Sequence, residues 1–116
     1  MRLLVLCLAI AGFVVAAPLH AHHGWSEYDS NQVLTLTGKI TESGYEHPHG
    51  HIKLAVPGKV WTVTLAPPSR MENRGLPKEG LAVGKEVTVV GYPNRTNPNE
   101  MRAERITTDG KTVELR

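Results

Sequence analysis

The sequence predicts an all-β protein, a small OB-like Greek-key barrel of five strands with one short helix between strands 3 and 4. Three observations predict it: segments of alternating apolar residues, turn formers between them, and one helical signal after the third strand. Three strands, a short helix and then two or three strands is the order typical of an OB barrel. A β-sandwich is the alternative, and the position of the helix favours the barrel.

The first half of the chain reads as three strands. Residues 33–41 alternate, with Leu34, Leu36 and Ile40 on one face, which is the period of a half-buried strand. Gly38 lies among them and predicts a bend or bulge. The second and third strands are predicted to form a hairpin. Ile52, Leu54 and Val56 face inward in the second strand, Pro57-Gly58-Lys59 forms the turn, and Val60 to Leu65 is the third strand.

The second half begins with the helical signal. Ser69-Arg70-Met71-Glu72 matches a capping box, and Gly75 suits a helix C-terminus, so we expect one short helix over about 69–74. Met71 and Met101 are expected to fill the core. The remaining strands are predicted at Lys85 to Tyr92, Met101 to Thr107 and, after a tight turn at Asp109-Gly110, Thr112 to Leu115.

Residues 1–21 have the layout of a signal peptide. Arg2 gives a positive start, Leu3 to Ala17 is an apolar run, and Ala21 is a small residue at the expected cleavage site. The run is too short for a comfortable membrane span, which needs about 20 residues, so no stable membrane anchor is expected. Cleavage after Ala17 is the alternative, but it would leave Pro18 just after the bond. The sequence therefore predicts a periplasmic or secreted protein whose single domain is residues 22–116.

The composition of residues 22–116 excludes several classes of function. Twelve Lys and Arg stand against eleven Asp and Glu, which gives no basic surface for nucleic acid. The one cysteine, Cys7, lies in the signal, so no disulfide and no cysteine nucleophile is expected. The sequence has no nucleophile elbow, phosphate loop or dinucleotide fingerprint, and it predicts that the protein is not an enzyme.

The histidines fall in two clusters. The chain has six, of which His20 lies in the signal and none occurs after position 51. The others form the pair His22-His23 and the alternating set His47, His49 and His51. Imidazole is the commonest protein ligand for transition metals, so both clusters predict a metal site. The opposing interpretations are a polar loop with surface histidines and a loose terminal pair.

The spacing of each cluster suits metal ligation. In an extended chain, side chains two residues apart project to the same side, with α-carbons about 6.6 Å apart, so two imidazoles can close on one ion. Cleavage after Ala21 would give His22 a free amine beside its imidazole, a nitrogen chelate that favours Cu(II). Copper is therefore the predicted metal, with zinc or nickel as alternatives. Trp25 and Tyr28 follow the first cluster and either pin it to the barrel or pack as ordinary apolar residues.

Several segments together resemble a family of small exported bacterial proteins. They are His22-His23, Leu36-Thr37-Gly38-Lys39-Ile40, Glu46-His47-Pro48-His49, and the Leu81–Val89 segment. The resemblance covers essentially the whole of residues 22–116 and implies an OB-like fold, export and no established activity. This chain has His47 where the family often carries Asn.

The sequence leaves three functions open. The first is a periplasmic copper-binding carrier, buffer or sensor, with the metal ion as partner. The second is a metal-free OB interaction module that binds an envelope protein or a glycan, as OB barrels do on the face of strands 2 and 3. An exported copper oxidase is the weakest, because the chain is small for an open site beside a substrate surface. Metal analysis of the mature protein would separate the first two.

Overall fold

The computed structural model describes residues 24–116. The predicted signal peptide, residues 1–21, and His22 and His23 lie outside these residues. The described chain contains six strands, one short α-helix and two single 3₁₀ turns, at Trp25–Glu27 and Lys78–Leu81. The strands and the helix are β1 Leu34–Gly44, β2 His51–Val56, β3 Lys59–Thr64, α1 Pro68–Asn73, β4 Glu86–Pro93, β5 Glu100–Thr108 and β6 Lys111–Glu114.

Five of the strands close into a barrel. The hydrogen-bonded order is β3-β2-β1-β4-β5-β6, and β3 also pairs with β5. That closing pair is parallel and joins Thr62 to Glu100 and Thr64 to Arg102, whereas the other pairs are antiparallel. The predicted OB-like barrel, with its helix between strands 3 and 4, is confirmed. β6 is an additional strand that pairs with the second half of β5.

The apolar alternation predicted from the sequence matches the core. In β1, Leu34 and Leu36 are half-buried and Ile40 is buried, while Thr35, Thr37 and Lys39 are exposed. Ile52 and Leu54 of β2 are fully buried. Met71 from α1 and Met101 from β5 are also fully buried, as expected for methionines that fill a core. At about 25 cal/mol per Å² of apolar surface removed from water, these side chains supply the main stabilising term.

The irregularity in β1 lies later than predicted. The pairing of β1 with β2 shifts register between Ile40 and Glu42, not at Gly38. Gly38 has a different role, because a Cβ there would lie 2.1 Å from the carbonyl oxygen of Ala55. The glycine therefore allows the backbones of β1 and β2 to approach closely where the sheet coils into a barrel.

The predicted capping box is wrong, although the helix itself is confirmed. Helix α1 begins at Pro68, its N-cap is Pro67, and no side chain caps it. Proline is favourable at the first helical position because its φ is already helical and its missing N–H is not needed there. Ser69 therefore lies inside the first turn. At the other end, Gly75 has a positive φ of 84°, and the Leu76 N–H donates to the Met71 carbonyl, which completes a Schellman motif.

Among residues 24–116, no helix has the length and apolar composition needed to cross a membrane.

Candidate functional site

A cleft of about 210 Å³ lies on the outside of the barrel, at the start of β2. The N-terminal segment, the loop between β1 and β2, and strands β2, β3 and β5 all contribute to it. Five of its seven lining residues carry a polar group in the side chain, and two of these are histidines from the second predicted cluster. The lining residues are Tyr28, Pro48, His49, Gly50, His51, Thr64 and Glu100.

His49 and His51 share this cleft, as the alternating spacing predicts. Between them, the N–H of Gly50 donates to the Ala66 carbonyl, and the Gly50 carbonyl accepts from the Leu65 N–H. These bonds attach the backbone between the two histidines to the segment that follows β3. The structure therefore brings two of the five predicted metal ligands to one surface.

His51 is half-buried on the outer face of β2, opposite the buried Ile52 and Leu54. Its cross-strand partners are Gly44 in β1 and Thr64 in β3. A Cβ on Gly44 would lie 2.2 Å from Cε1 of His51, so the imidazole lies directly over that glycine. Any side chain at position 44 would displace the ring, and Gly44 therefore gives the His51 imidazole its space.

His47 is placed differently from the other two. Its side chain is exposed, and it is not among the residues that line the cleft. The peptide bond from His47 to Pro48 is cis. Thus the three alternating histidines do not all face one cleft.

The segment that follows the first histidine pair is fixed to the barrel by several contacts. The Asp29 N–H donates to the Pro93 carbonyl, and the Arg95 N–H donates to the Glu27 carbonyl. Tyr28 is 1% exposed and forms an antiparallel bridge with Asn94. The indole of Trp25 is contacted by two cations, Arg102 and Arg116, at 4.3 and 4.7 Å from the ring centroid. Trp25 and Tyr28 therefore attach this segment to the barrel surface.

Arg102 links this segment to the histidine cleft. Its guanidinium carbon lies over the Trp25 ring, and its Nη2 lies 3.4 Å from Nε2 of His49. The side chain is only 5% exposed. Burial lowers the pKa of the Arg102 guanidinium, and the nearby cations Arg70 and Arg116 act in the same direction. Arginine nevertheless stays charged in proteins, so a buried cation lies beside the cleft.

A hydrogen-bonded group on the cleft wall was not predicted from the sequence. The hydroxyl of Tyr28 donates to Oε1 of Glu100 at 2.7 Å, and the hydroxyl of Thr64 donates to the same oxygen at 3.3 Å. Burial is the main cause that raises the pKa of the Tyr28 phenol. Tyr28 and Glu100 are separated by 72 positions, so no local pattern indicates that they meet.

The described residues do not form a complete metal site by themselves. Within 24–116, no three His, Cys, Asp or Glu side chains are grouped so that they could hold one metal ion together. The predicted ligand set also includes His22 and His23, which lie outside that range. The predicted copper site, with zinc or nickel as alternatives, therefore stays a prediction.

The fold and the cleft define a small OB-like barrel protein with two histidines and a carboxylate on its outer face. The chain belongs to DUF6152, a family of unknown function, whose model matches residues 10–102. This confirms the resemblance to a family of small proteins without an established activity.

No curated protein matches the chain. Among solved structures, the chain is similar to the crystal structure of the ZRD-deleted mutant of TiaS in complex with agmatine, at 19% identity and a TM-score of 0.49. The match covers 76% of this chain and 25% of that one, so this chain spans about a quarter of the other's length. A likeness at this level carries no argument about function.

Proposed function

We propose that the protein is exported to the periplasm and binds copper there, as a carrier, buffer or sensor. Cleavage after Ala21 would leave His22 as the first residue, with its amine and imidazole as one chelate. His49 and His51 would supply further nitrogen ligands, and His23 and His47 are the remaining candidates. Nitrogen ligation without a thiol favours Cu(II), with zinc or nickel as competitors.

One observation carries this proposal: Arg102 contacts both Trp25 and His49. His22 and His23 come directly before Gly24 in the sequence, and consecutive α-carbons are about 3.8 Å apart. Both histidines are therefore joined through the backbone to the start of this attached segment. The attached segment thus begins beside the cleft that holds His49 and His51. This supports convergence of the two histidine clusters on one ion.

The attachment also has an energetic consequence for metal binding. A chelate on a free tail loses conformational entropy when it joins a distant ligand, and each ordered residue costs about 1–2 kcal/mol of backbone entropy. The contacts of Trp25, Tyr28 and Asp29 order the segment in advance. The described attachment therefore reduces the entropy cost of bringing His22 to the cleft.

Titration calorimetry with Cu(II) on residues 22–116 tests the proposal. The wild type should bind one ion, and the double substitution His49→Ala with His51→Ala should lower its affinity at least tenfold. Lys53→Ala is the matched control, because Lys53 lies on the same strand and is exposed. The control should bind as the wild type does. Equal, weak binding by the wild type and the double variant would overturn the proposal and favour the metal-free interaction module.

The N-terminus needs a separate measurement. The intact mass of the protein purified from the periplasm should correspond to residues 22–116. A variant with one alanine added before His22 should bind Cu(II) more weakly, because its amine is no longer on the same residue as the imidazole. A mass that retains Ala21 or Pro18 would remove the proposed chelate.

A further inference from the structure

A second cleft, of about 240 Å³, lies beside the attached N-terminal segment. Its walls come from that segment, from the end of β4, from the loop after β4 and from the residue that follows the end of the barrel. Tyr28 is the residue that it shares with the histidine cleft, and no histidine lines it. The side chains that matter for its chemistry are Trp25, Ser26, Ser30, Tyr92, Arg95 and Arg116.

The charge of this cleft is positive. Arg95 and Arg116 both line it, and its described lining includes no carboxylate side chain. The cavity beside Gly75 differs, because its lining balances two lysines with two carboxylates. Glu104 accepts a hydrogen bond from Tyr92 but does not line the cleft. Ion pairs within residues 24–116 join other side chains, namely Lys53 to Glu42, Lys85 to Asp109 and Arg105 to Glu114.

The guanidinium of Arg116 is positioned by contacts on two sides. Its Cζ lies 4.7 Å from the centroid of the Trp25 ring. From the end of helix α1, Nη1 of Arg74 donates to the carbonyls of Glu114 and Arg116, at 2.8 and 3.0 Å. These bonds fix the backbone that carries the guanidinium. A group that is ordered before its ligand arrives loses less conformational entropy on binding.

The guanidinium of Arg95 is also held, and part of it stays available. The Arg95 N–H donates to the Glu27 carbonyl at 2.9 Å, and Nε donates to the Ser26 carbonyl at 3.1 Å. A guanidinium carries N–H donors on all three nitrogens, so the two terminal nitrogens remain for a ligand. The side chain is exposed, and a ligand can therefore reach it. A planar guanidinium pairs best with a carboxylate or a phosphate, through two parallel hydrogen bonds.

The rest of the wall suits a sugar ring. Ser26 and Ser30 are exposed, and each hydroxyl both donates and accepts hydrogen bonds. The half-buried rings of Trp25 and Tyr92 meet edge to face, with centroids 6.1 Å apart, and supply an apolar surface. Sites for drug-sized ligands measure about 300–1,000 Å³. This smaller cleft therefore admits a single ring-sized unit with several polar groups.

From these observations we infer that the cleft binds the carboxylate-bearing sugar unit of an acidic glycan. Arg95 and Arg116 pair with the carboxylate, and Ser26 and Ser30 bond the ring hydroxyls. Because both guanidinium groups are exposed, solvent screens the pairs and a single sugar unit binds weakly. The inference goes beyond the proposed copper binding, since none of the proposed metal ligands lines this cleft.

An amide NMR titration of the protein with methyl glucuronide tests the inference. A chelator is present, so that no metal ion is bound. The backbone amides of Ser26, Ser30 and Arg95 and the indole N–H of Trp25 should shift and saturate. Methyl glucoside has the same ring without the carboxylate, and it should bind about tenfold more weakly because the charge-assisted hydrogen bonds are lost. Affinity for the glucuronide should also fall as salt is added.

Two double variants locate the binding. Arg95→Gln with Arg116→Gln should weaken glucuronide binding about tenfold, again through lost charge-assisted hydrogen bonds. Lys39→Gln with Lys78→Gln is the matched control, because it removes the same net charge from two exposed residues outside the cleft. The control should bind as the wild type does. Should the arginine variant not fold by circular dichroism, Arg95→Lys with Arg116→Lys replaces it. That variant keeps the charge without the planar fork, and it should still bind more weakly than the wild type.

The opposite results would overturn the inference. These are no saturable shifts at the residues of the cleft, or wild-type affinity in a folded arginine variant. Acetate or inorganic phosphate binding as tightly as the glucuronide would indicate a simple anion site and overturn the assignment to a sugar. The titration contains no Cu(II), so its failure leaves the copper proposal standing, and failure of the copper titration leaves this inference standing.

Discussion

Nη2 of Arg102 lies 3.4 Å from Nε2 of His49. Nη2 belongs to the guanidinium of Arg102, which can only donate hydrogen bonds. The same guanidinium lies over the Trp25 ring, so one buried side chain contacts both the histidine cleft and the attached N-terminal segment. The position of that segment should therefore depend on Arg102.

Arg102→Ala should loosen the N-terminal segment. The substitution removes the cation from the face of Trp25, a contact that contributes about 0.5–2 kcal/mol. In a Trp61→Phe background, Trp25 is the one tryptophan left, and its fluorescence should shift to the red and be quenched more strongly by acrylamide. Arg105→Ala is the control, since Arg105 lies on the same strand and pairs with Glu114 instead. Unchanged quenching in Arg102→Ala would show that other contacts hold the segment.

Tyr28→Phe should make the protein less sensitive to alkali. The pKa of the Tyr28 phenol is raised in the folded protein, mainly by burial, so above pH 10 the unfolded chain loses this proton before the folded one does. The stability of the folded state then falls as the pH rises past the ordinary tyrosine pKa. Tyr45 and Tyr92 contribute in the same sense, because their pKa values are also raised.

Urea unfolding measured between pH 8 and pH 11 tests this prediction. The free energy of unfolding should fall with rising pH in the wild type and fall less steeply in Tyr28→Phe. At neutral pH the variant should be about 1 kcal/mol less stable, because it loses the hydrogen bond to Glu100. An equally steep fall in both proteins would contradict the assignment of this effect to Tyr28.

Two substitutions in and after helix α1 should differ sharply. Ser69→Ala should change the free energy of unfolding by less than about 0.5 kcal/mol, because Ser69 is not the N-cap. Gly75→Ala should cost roughly 1–2 kcal/mol, because residue 75 has a left-handed backbone with φ of 84°. Thermal or urea unfolding measures both values. A loss of about 1 kcal/mol in Ser69→Ala would instead indicate that Ser69 caps the helix.

Truncation of Met71 should show how much the barrel depends on its helix. Met71 is fully buried, and Met71→Ala should lower the free energy of unfolding by about 2–5 kcal/mol through lost burial and the cavity it leaves. Val60→Ala is the contrasting variant, since Val60 is 50% exposed and its loss should be within about 0.5 kcal/mol. Similar losses in the free energy of unfolding for both variants would contradict a large contribution of α1 to the core.

The sequence predicted the fold better than the site. Alternation places Ile52 and Leu54 inward because each strand must bury one face, and that rule is local to the strand. The capping box failed because Pro68 competes for the start of the helix with a backbone angle that is already helical. Sequence patterns could place His49 and His51 on one side of the chain, because their separation is two residues.

The remaining members of the cleft are set by closure of the barrel. Glu100 reaches the histidines through the parallel β3–β5 pair, and Tyr28 reaches Glu100 across 72 positions. The residues next to Glu100 and Tyr28 in the sequence do not indicate how β3 and β5 will align with each other. Arg102 shows the same limit, because its position in a strand predicts its face but not the tryptophan that covers it.

The parallel β3–β5 pair also bears on how this chain behaves beside other polypeptides. Closure pairs Thr62–Thr64 of β3 with Glu100–Arg102 of β5, and the strand order of the described residues ends at β6. That strand has four residues, and Lys111 and Glu114 stand at its two ends. A short edge with charged ends is a poor template for an incoming strand, which protects a protein from edge-to-edge aggregation. Extended peptides that dock by lengthening a sheet should therefore bind poorly at β6.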